Sequence, residues 1–110
     1  MEILRSGYVY VNNIYAGVIQ EGDDGYIFSY DKAYLNSSNP KPVSLTLPLQ
    51  NEPYYSNYLF PFFDGLIPEG WLLNIVSKNW KISSSDRFGL LLVCCKDPIG
   101  NVMVKGEKTI

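Results

Sequence analysis

The chain has no histidine, which limits the chemistry that its residues could perform. Neither a Ser-His nor a Cys-His nucleophile can be assembled, and the commonest general base near neutral pH is missing. A small enzyme with a carboxylate-based site stays conceivable, and Asp23 and Asp24 are the most obvious pair. They lie between Gly22 and Gly25, however, where acidic residues usually serve a turn. We therefore expect a chain that is not an enzyme and has no catalytic residue, cofactor or metal.

The two cysteines, Cys94 and Cys95, are adjacent in an apolar run. Two Cys without any His offer too few of the preferred zinc ligands, and thiols in the cytosol stay reduced. We expect buried or half-buried free thiols, with a redox or metal role as the minor alternative.

The composition is that of a small folded domain. With 110 residues, 46% of them hydrophobic, the chain can form one core but has no room for a separate substrate lobe. We expect a single domain over residues 1–110. Aromatic residues make up 15% of the chain and include nine Tyr. They could pack on a small antiparallel sheet or form a binding face for another protein, and both interpretations stay open.

The charge argues against some partners. The formal net charge is -2, and no segment carries a run of Lys or Arg. Because most nucleic-acid affinity comes from neutralising phosphates, direct binding to DNA or RNA is disfavoured. No segment approaches the roughly 18 apolar residues of a membrane span, and the N-terminus lacks a signal-peptide pattern. We expect a cytoplasmic protein without membrane contact.

The elements that would position these residues begin with strands. Tyr8–Val11 and Ile14–Ile19 alternate as half-buried strands do, and Asn12-Asn13 between them tolerates positive φ, which predicts a hairpin. A second turn at residues 22–25 leads to a third strand over Tyr26–Tyr30. The sequence up to residue 30 therefore predicts a three-stranded meander.

The middle of the chain predicts one further strand between two loops. Residues 31–42 and 51–57 have loop compositions. Between them, apolar residues alternate over Val43–Leu49, with Leu45 on the apolar side and Pro48 near the end. This pattern predicts a fourth strand with one buried face, at the edge of the sheet.

The later part predicts helices and then a hairpin. Helical spacing predicts an amphipathic helix over residues 69–79, and Ser83–Asp86 supplies N-cap candidates for a short apolar helix over residues 87–92. The expected terminal hairpin consists of Leu92–Cys95, a turn at Asp97–Gly100 and a return strand over Asn101–Val104. This order predicts an α+β domain, in which a small curled, partly barrel-like antiparallel sheet of about five to six strands packs with two or three short helices.

The segment Phe62–Trp71 is the densest signature in the chain. It predicts an apolar helical turn that ends at Pro68, followed by a new helix led by Glu69. Proline near a helix start costs little, and an acidic residue there suits the positive end of the helix dipole. We expect Phe62–Pro68 to fill the core and Glu69–Trp71 to be the functional part of this corner.

Together with the N-terminal meander, this signature is part of a larger pattern. Its other members are Pro42–Leu49, Asp86–Leu91 and Asp97–Val102. In this order and spacing they resemble the N-terminal subdomain of HipA-type serine/threonine kinases, the toxins of bacterial Hip toxin–antitoxin modules. The resemblance covers nearly the whole chain, and Phe62–Gly70 is its most specific element. One departure is that the family usually has a glycine where Cys94 or Cys95 falls, which implies a different packing at the last hairpin.

Kinase motifs are missing from the sequence. Phosphoryl transfer needs a phosphate-covering loop, a lysine on the phosphates and acidic and amide residues for the acceptor and the metal. The glycines around Asp23 and Asp24 form too short and too acidic a loop to hold phosphates. A HipA-type kinase continues for several hundred residues beyond this subdomain, whereas this sequence stops at Ile110 with a polar tail. We expect that tail to be a natural end.

A stand-alone copy of the subdomain resembles the HipS-like antitoxins of three-gene HipBST modules. This resemblance implies an antitoxin that binds and inhibits a shortened HipA-like kinase toxin, HipT, while a HipB-like DNA-binding partner contacts the operator. The weakly acidic charge of the chain agrees with leaving DNA contact to a partner. The alternative is that the chain is the N-terminal interaction subdomain of a full-length HipA-type kinase toxin, expressed as a separate piece.

Inhibition of a kinase in trans would need a side chain that projects into the kinase cleft. Trp71 is the leading candidate because it follows the helix start off the apolar stripe, and interface anchors are enriched in Trp. It could equally fold back under residues 58–63 as a core residue. Capping is the commoner role for acidic residues at helix ends, and loop tyrosines are often surface packing. The candidate partner-binding residues are Trp71, Glu69, Asp64, Tyr54, Tyr55 and Tyr58.

Overall fold

The computed structural model describes residues 1–67, 78–79, 81–83, 85–94 and 101–106. Within these residues, a five-stranded antiparallel sheet packs with three short helices, and the sheet is open, with order β4-β3-β2-β1-β5. This confirms the predicted α+β class. The elements are β1 (Ile3–Val11), β2 (Ile14–Gly22), β3 (Gly25–Tyr30), α1 (Lys32–Leu35), β4 (Tyr54–Ser56), α2 (Pro61–Asp64), α3 (Arg87–Cys94) and β5 (Val102–Lys105).

The predicted meander is confirmed, and its turns explain why it forms. Asn12 and Asn13 have φ values of 52° and 67°, the left-handed region that a tight hairpin turn requires and that Asn tolerates. At the second turn, Gly22 pairs with Gly25, whose φ is +147°. A side chain at Gly25 would meet the carbonyl oxygen of Ser56 on the neighbouring strand at 2.4 Å, so glycine also permits β4 to approach.

The alternation of side chains gives the sheet two different faces. Val9, Ile19 and Phe28 point to the inner face and are fully buried, together with Phe63 of α2 and Phe88 of α3. The predicted core role of the corner is therefore confirmed for Phe63. The rest of the buried cluster comprises Val11, Ala16, Tyr30, Tyr34, Val43, Leu47, Phe60, Ile67, Leu90, Leu91, Val102 and Val104.

The predicted fourth strand over Val43–Leu49 is wrong. Apart from one isolated bridge between Ser44 and Leu47, this segment is a tight turn. The N–H of Leu47 donates to the Ser44 carbonyl at 3.1 Å, and the N–H of Thr46 donates to the Ser44 hydroxyl at 3.2 Å. These local bonds replace the ladder that the apolar alternation suggested. As a result Leu45, expected on a buried face, is 95% exposed.

Both predicted loops contain regular structure. The first includes α1, whose N-cap Asp31 accepts a hydrogen bond from the N–H of Tyr34 at 3.2 Å. The second includes β4, which pairs with β3 and supplies the edge strand that Val43–Leu49 does not form. The expected count of strands is thus met by a different segment.

The expected terminal hairpin is wrong in its first strand and its pairing, whereas the return strand predicted over Asn101–Val104 is confirmed as β5. Leu92–Cys94 belongs to α3, and β5 pairs with β1, placing Val104 opposite Val9. An apolar run of this length is compatible with either helix or strand, and the cap at Asp86 decides for helix: its carboxylate accepts from the N–H of Gly89 at 3.1 Å. The predicted cap and the short apolar helix after it are therefore confirmed. The helix predicted over residues 69–79 lies mostly outside the described residues, as do Asp97–Gly100 and Cys95.

Candidate protein-binding surface

The corner that carries the sequence signature is mainly structural in its described part. Phe63 lies between aromatic rings, with ring centroids 5.3 Å from Phe28 and 5.2 Å from Phe62. Ile67 is 3% exposed, and Leu66 packs against the same cluster at its margin. This confirms that the apolar half of the signature fills the core.

Asp64 lies at the end of α2 and faces α3. Its carboxylate accepts a hydrogen bond from Arg87 Nε at 2.8 Å, and the Asp64 carbonyl accepts one from Arg87 Nη2 at 3.4 Å. The Asp64 side chain is 45% exposed. Asp64 therefore joins the two helices, a role that neither of the sequence-based interpretations included, and its outward side stays accessible to a partner.

A second ionic contact fixes the start of α3 against the sheet. Arg5 Nε and Nη2 donate to the two carboxylate oxygens of Glu21 at 2.7 and 2.9 Å, and Nη1 and Nη2 donate to those of Asp86 at 2.9 and 2.8 Å. The guanidinium also lies 5.4 Å from the ring centroid of Phe88. We call Arg5, Glu21 and Asp86 the arginine cluster.

Two members of the arginine cluster, Arg5 and Asp86, have pKa values that their hydrogen bonds to each other shift. Hydrogen bonds to Asp86, and next to Glu21, raise the pKa of Arg5. The hydrogen bonds from Arg5 lower the pKa of Asp86. Sequence reasoning missed Arg5 because its partners lie 16 and 81 residues away. The only local signal is a charged residue at an inward-facing position of β1.

Three tyrosine hydroxyls attach residues 41–48 to the sheet. Tyr30 O–H donates to the Leu47 carbonyl and accepts from the N–H of Val43 at 3.0 Å. Tyr34 donates to the carbonyl of Lys41 at 2.8 Å and accepts from its N–H at 3.0 Å. Tyr54 donates to the carbonyl of Pro48 at 2.6 Å. We call Tyr30, Tyr34 and Tyr54 the tyrosine anchors.

The structure separates the three tyrosines that the sequence grouped as candidates. Tyr54 packs against the core, with its ring stacked 6.5 Å from Phe28. Tyr55 points the opposite way because strand residues alternate, and it is 68% exposed. Tyr58, beyond the end of β4, is 80% exposed. Tyr55 and Tyr58 are thus available to a partner, whereas Tyr54 positions its neighbours.

Tyr55 lies at one end of the outer face of the sheet. Directly opposed residues of neighbouring strands have side chains on the same face of a sheet. On the outer face, Gln20 Nε2 donates a hydrogen bond to Ser6 Oγ at 3.4 Å. Two of its cross-strand rows are Tyr55-Ile27-Gln20-Ser6 and Ser29-Val18-Tyr8-Lys105. Lys105 is the one charged residue in these two rows. Neutral surfaces with Tyr and aliphatic side chains are typical of protein contacts rather than of catalysis.

A cleft, the potential metal ligands and the helices of the described residues are the other features that bear on function. A shallow cleft of about 230 Å³ is lined by Leu35, Asn36, Leu49, Gln50 and Asn51. Within the described ranges no group of three potential metal ligands occurs. None of the helices in that part of the chain has the length and apolar character needed to cross a membrane. Glu69 and Trp71 lie outside the described residues and stay predictions.

Comparison with known proteins agrees with this fold. A family model described as "HipA N-terminal domain" matches residues 7–105. A solved structure titled "N-terminal domain of HipA toxin" superimposes with a TM-score of 0.68 and 27% sequence identity, covering 100% of this chain and 99% of that one.

Two sequence relatives differ greatly in length. An uncharacterized protein of Haemophilus influenzae is 35% identical over 107 residues, which are 97% of this chain and 97% of that protein. A protein of Sinorhizobium fredii named "Putative kinase Y4mE" is 35% identical over 72 residues, which are 66% of this chain but 17% of that protein.

Proposed function

The chain belongs to the HipA N-terminal domain family, and from this premise we propose that it is an antitoxin that binds and inhibits a HipA-like serine/threonine kinase toxin. The partner is a kinase of the shortened HipT type, and a HipB-like DNA-binding protein joins through the complex. The antitoxin acts in the cytoplasm and catalyses no reaction itself.

The observation that carries this proposal is the pair of relatives of unequal length. The same domain matches a small part of a protein named as a kinase and almost the whole of a protein of its own size. A domain found both within a kinase chain and alone can occupy, as a separate protein, the place that it has in the kinase. The exposed Tyr55 and Tyr58 support a protein-binding role, since Tyr is enriched in interfaces.

We propose that the corner supplies the inhibition. Asp64 has an accessible carboxylate that could meet a basic rim of the kinase, and Glu69 and Trp71 follow a few residues later in the sequence. Of the three candidate tyrosines, Tyr55 and Tyr58 are proposed to contact the kinase directly, and Tyr54 is proposed to support this contact by positioning the residues around it. Trp71 is the side chain proposed to enter the kinase cleft.

We expect a HipA-like kinase gene beside this one, and co-expression with that kinase tests the proposal. We expect the chain to relieve kinase-induced growth arrest and to copurify with the kinase, and Trp71→Ala to bind but protect poorly. A catalytically inactive kinase provides the control for growth effects unrelated to phosphorylation. Growth arrest that persists, or the absence of a complex, would contradict the antitoxin role. Normal protection by Trp71→Ala would remove only the proposed cleft insertion.

A second candidate is the N-terminal interaction subdomain of a full-length HipA-type kinase toxin. The match to part of the Sinorhizobium protein favours it. The mass of the native gene product decides between the two, because a reading frame that continues into a kinase core would support this alternative.

A further inference from the structure

The tight turn at Ser44–Leu47 displays a single leucine. Leu45 at its tip is 95% exposed, while Val43 and Leu47 on either side are 5% and 3% exposed. The two flanking side chains thus anchor the turn in the core, and Leu45 projects from it. Single exposed leucines are common on protein surfaces, and this one differs in how firmly its turn is held.

Hydrogen bonds fix the turn on both sides of Leu45. Within the turn, the hydroxyls of Ser44 and Thr46 are 3.0 Å apart and the N–H of Thr46 donates to Ser44 Oγ. At its base, Tyr30 contacts both Val43 N–H and the Leu47 carbonyl. Tyr54 holds the next carbonyl, at Pro48. The backbone on both sides of Leu45 is therefore held by hydrogen bonds within the chain itself.

Such preorganisation favours binding, because little backbone entropy remains to be lost when the leucine is buried. Turns favour Gly, Pro, Asn, Asp and Ser, each for a conformational or hydrogen-bonding reason, and the leucine at this tip is none of these. The segment from Pro42 to Asn51 contains no charged residue. Recognition of this tip would thus depend on apolar contact rather than on ion pairs.

We propose that Leu45 is a binding anchor that inserts into an apolar pocket on the HipA-like kinase. This inference rests on the proposed function and adds to it a contact remote in sequence from the corner. In this arrangement the corner inhibits the kinase, while the turn contributes affinity and fixes the position of one protein on the other.

Binding of purified kinase, measured by isothermal titration calorimetry, tests the anchor. We expect Leu45→Ala to weaken binding by about 30-fold, the loss typical of an interface hot spot, and Leu45→Asp to weaken it further. Leu45→Met, which conserves volume and apolar character, should stay within roughly 3-fold of wild type. Because the side chain is 95% exposed, none of these variants should change the thermal unfolding of the free chain.

Two controls separate the anchor from general effects. Ile14→Ala removes another exposed aliphatic side chain, 58% exposed beside the first hairpin turn, and should leave affinity unchanged. Ser44→Ala keeps Leu45 but removes the hydroxyl bonds of the turn, and should weaken binding by roughly 3-fold through lost preorganisation.

The outcomes distinguish this inference from the function on which it rests. Failure of the wild-type chain to bind the kinase would overturn both. Normal wild-type binding with unchanged affinity for Leu45→Ala or Leu45→Asp would overturn the anchor alone. A Leu45→Ala variant that loses self-association in analytical ultracentrifugation, yet binds the kinase normally, would assign the leucine to a second copy of the chain and likewise overturn it.

Discussion

Two segments are fastened to the same sheet by opposite kinds of chemistry. The arginine cluster holds the start of α3 through charged, partly exposed groups, with side-chain exposures of 37% for Arg5, 18% for Glu21 and 36% for Asp86. The tyrosine anchors hold residues 41–48 through neutral hydroxyls, of which Tyr30 is 6% exposed. Solvent and salt screen the charged groups of the first set but not the buried, neutral hydroxyl of Tyr30, so the two segments should differ in their response to mutation, pH and salt.

The largest effect is expected at the buried hydroxyl. Tyr30→Phe leaves the N–H of Val43 and the carbonyl of Leu47 without their partner in the core. Buried polar groups without hydrogen bonds are costly, so we expect the free energy of unfolding to fall by about 2–3 kcal/mol in urea titrations followed by circular dichroism. Tyr58→Phe, at an exposed position, is the matched control and should change it by less than about 0.5 kcal/mol.

Alkaline pH provides a second readout of Tyr30. Burial raises the pKa of Tyr30 to about 12, above its value of about 10 in an unfolded chain. The folded state therefore keeps a proton that the unfolded state releases, and stability present below about pH 10 is lost as the pH rises through 12. Tyr30→Phe should lack this part of the alkaline decline. An unchanged urea midpoint for the variant would show that the hydroxyl does not hold the turn.

Elements fixed by local contacts were predicted correctly from the sequence, whereas elements fixed by distant contacts were not. The meander was predictable because Asn12-Asn13 and Gly25 determine their turns within a few residues. The turn at Ser44–Leu47 was not, because its apolar alternation imitates a strand and the hydroxyls that prevail over that pattern include Tyr30, 17 residues from Leu47. Phe63 and Ile67 of the corner were correctly assigned to the core, since dense apolar clusters are usually buried.

The candidate site was harder to predict than the fold. The tyrosines of β4 were found as a group, yet only the structure shows that Tyr54 and Tyr55 face opposite sides. Pairing of β5 with β1 depends on which edge stays free, which no local pattern records. Sequence reasoning missed the exposure of Leu45 because it assigned this residue to the buried face of a strand, whereas the segment is a turn with Leu45 at its tip.

An intermediate effect is expected in the arginine cluster. Arg5→Met keeps a long unbranched side chain but removes the guanidinium from the Phe88 ring and leaves two carboxylates without their cation. Because these groups are partly exposed and screened, we expect a loss of about 1–2 kcal/mol, smaller than at Tyr30. Lys41→Met removes an exposed cation that forms no ion pair within the described residues and is the control.

The stability of the chain at acid pH should report the interaction of Asp86 with Arg5. Arg5 lowers the pKa of Asp86, so the folded state binds a proton less readily than the unfolded one. The resulting stability is present above the unfolded pKa of about 3.9 and is lost as pH falls through the lower folded value. Arg5→Met should flatten this acid decline while leaving the alkaline decline intact. Equal acid sensitivity of wild type and Arg5→Met would contradict the assignment.

The smallest effect on stability is expected at Asp64, which forms an exposed ion pair with Arg87 and is also a proposed kinase contact. Asp64→Asn keeps an acceptor for Arg87 Nε but removes the charge from a pair that is 31% and 45% exposed. Exposed ion pairs contribute little, so we expect the free energy of unfolding to fall by about 0.5 kcal/mol, and the difference to shrink in high salt.

Asp24→Asn, at the exposed second turn, is the control and should have no effect on kinase binding. If Asp64 also meets a basic rim of the kinase, its neutralisation should weaken binding by more than this small loss of stability can explain. Kinase affinity equal to that of Asp24→Asn would instead restrict Asp64 to joining α2 and α3.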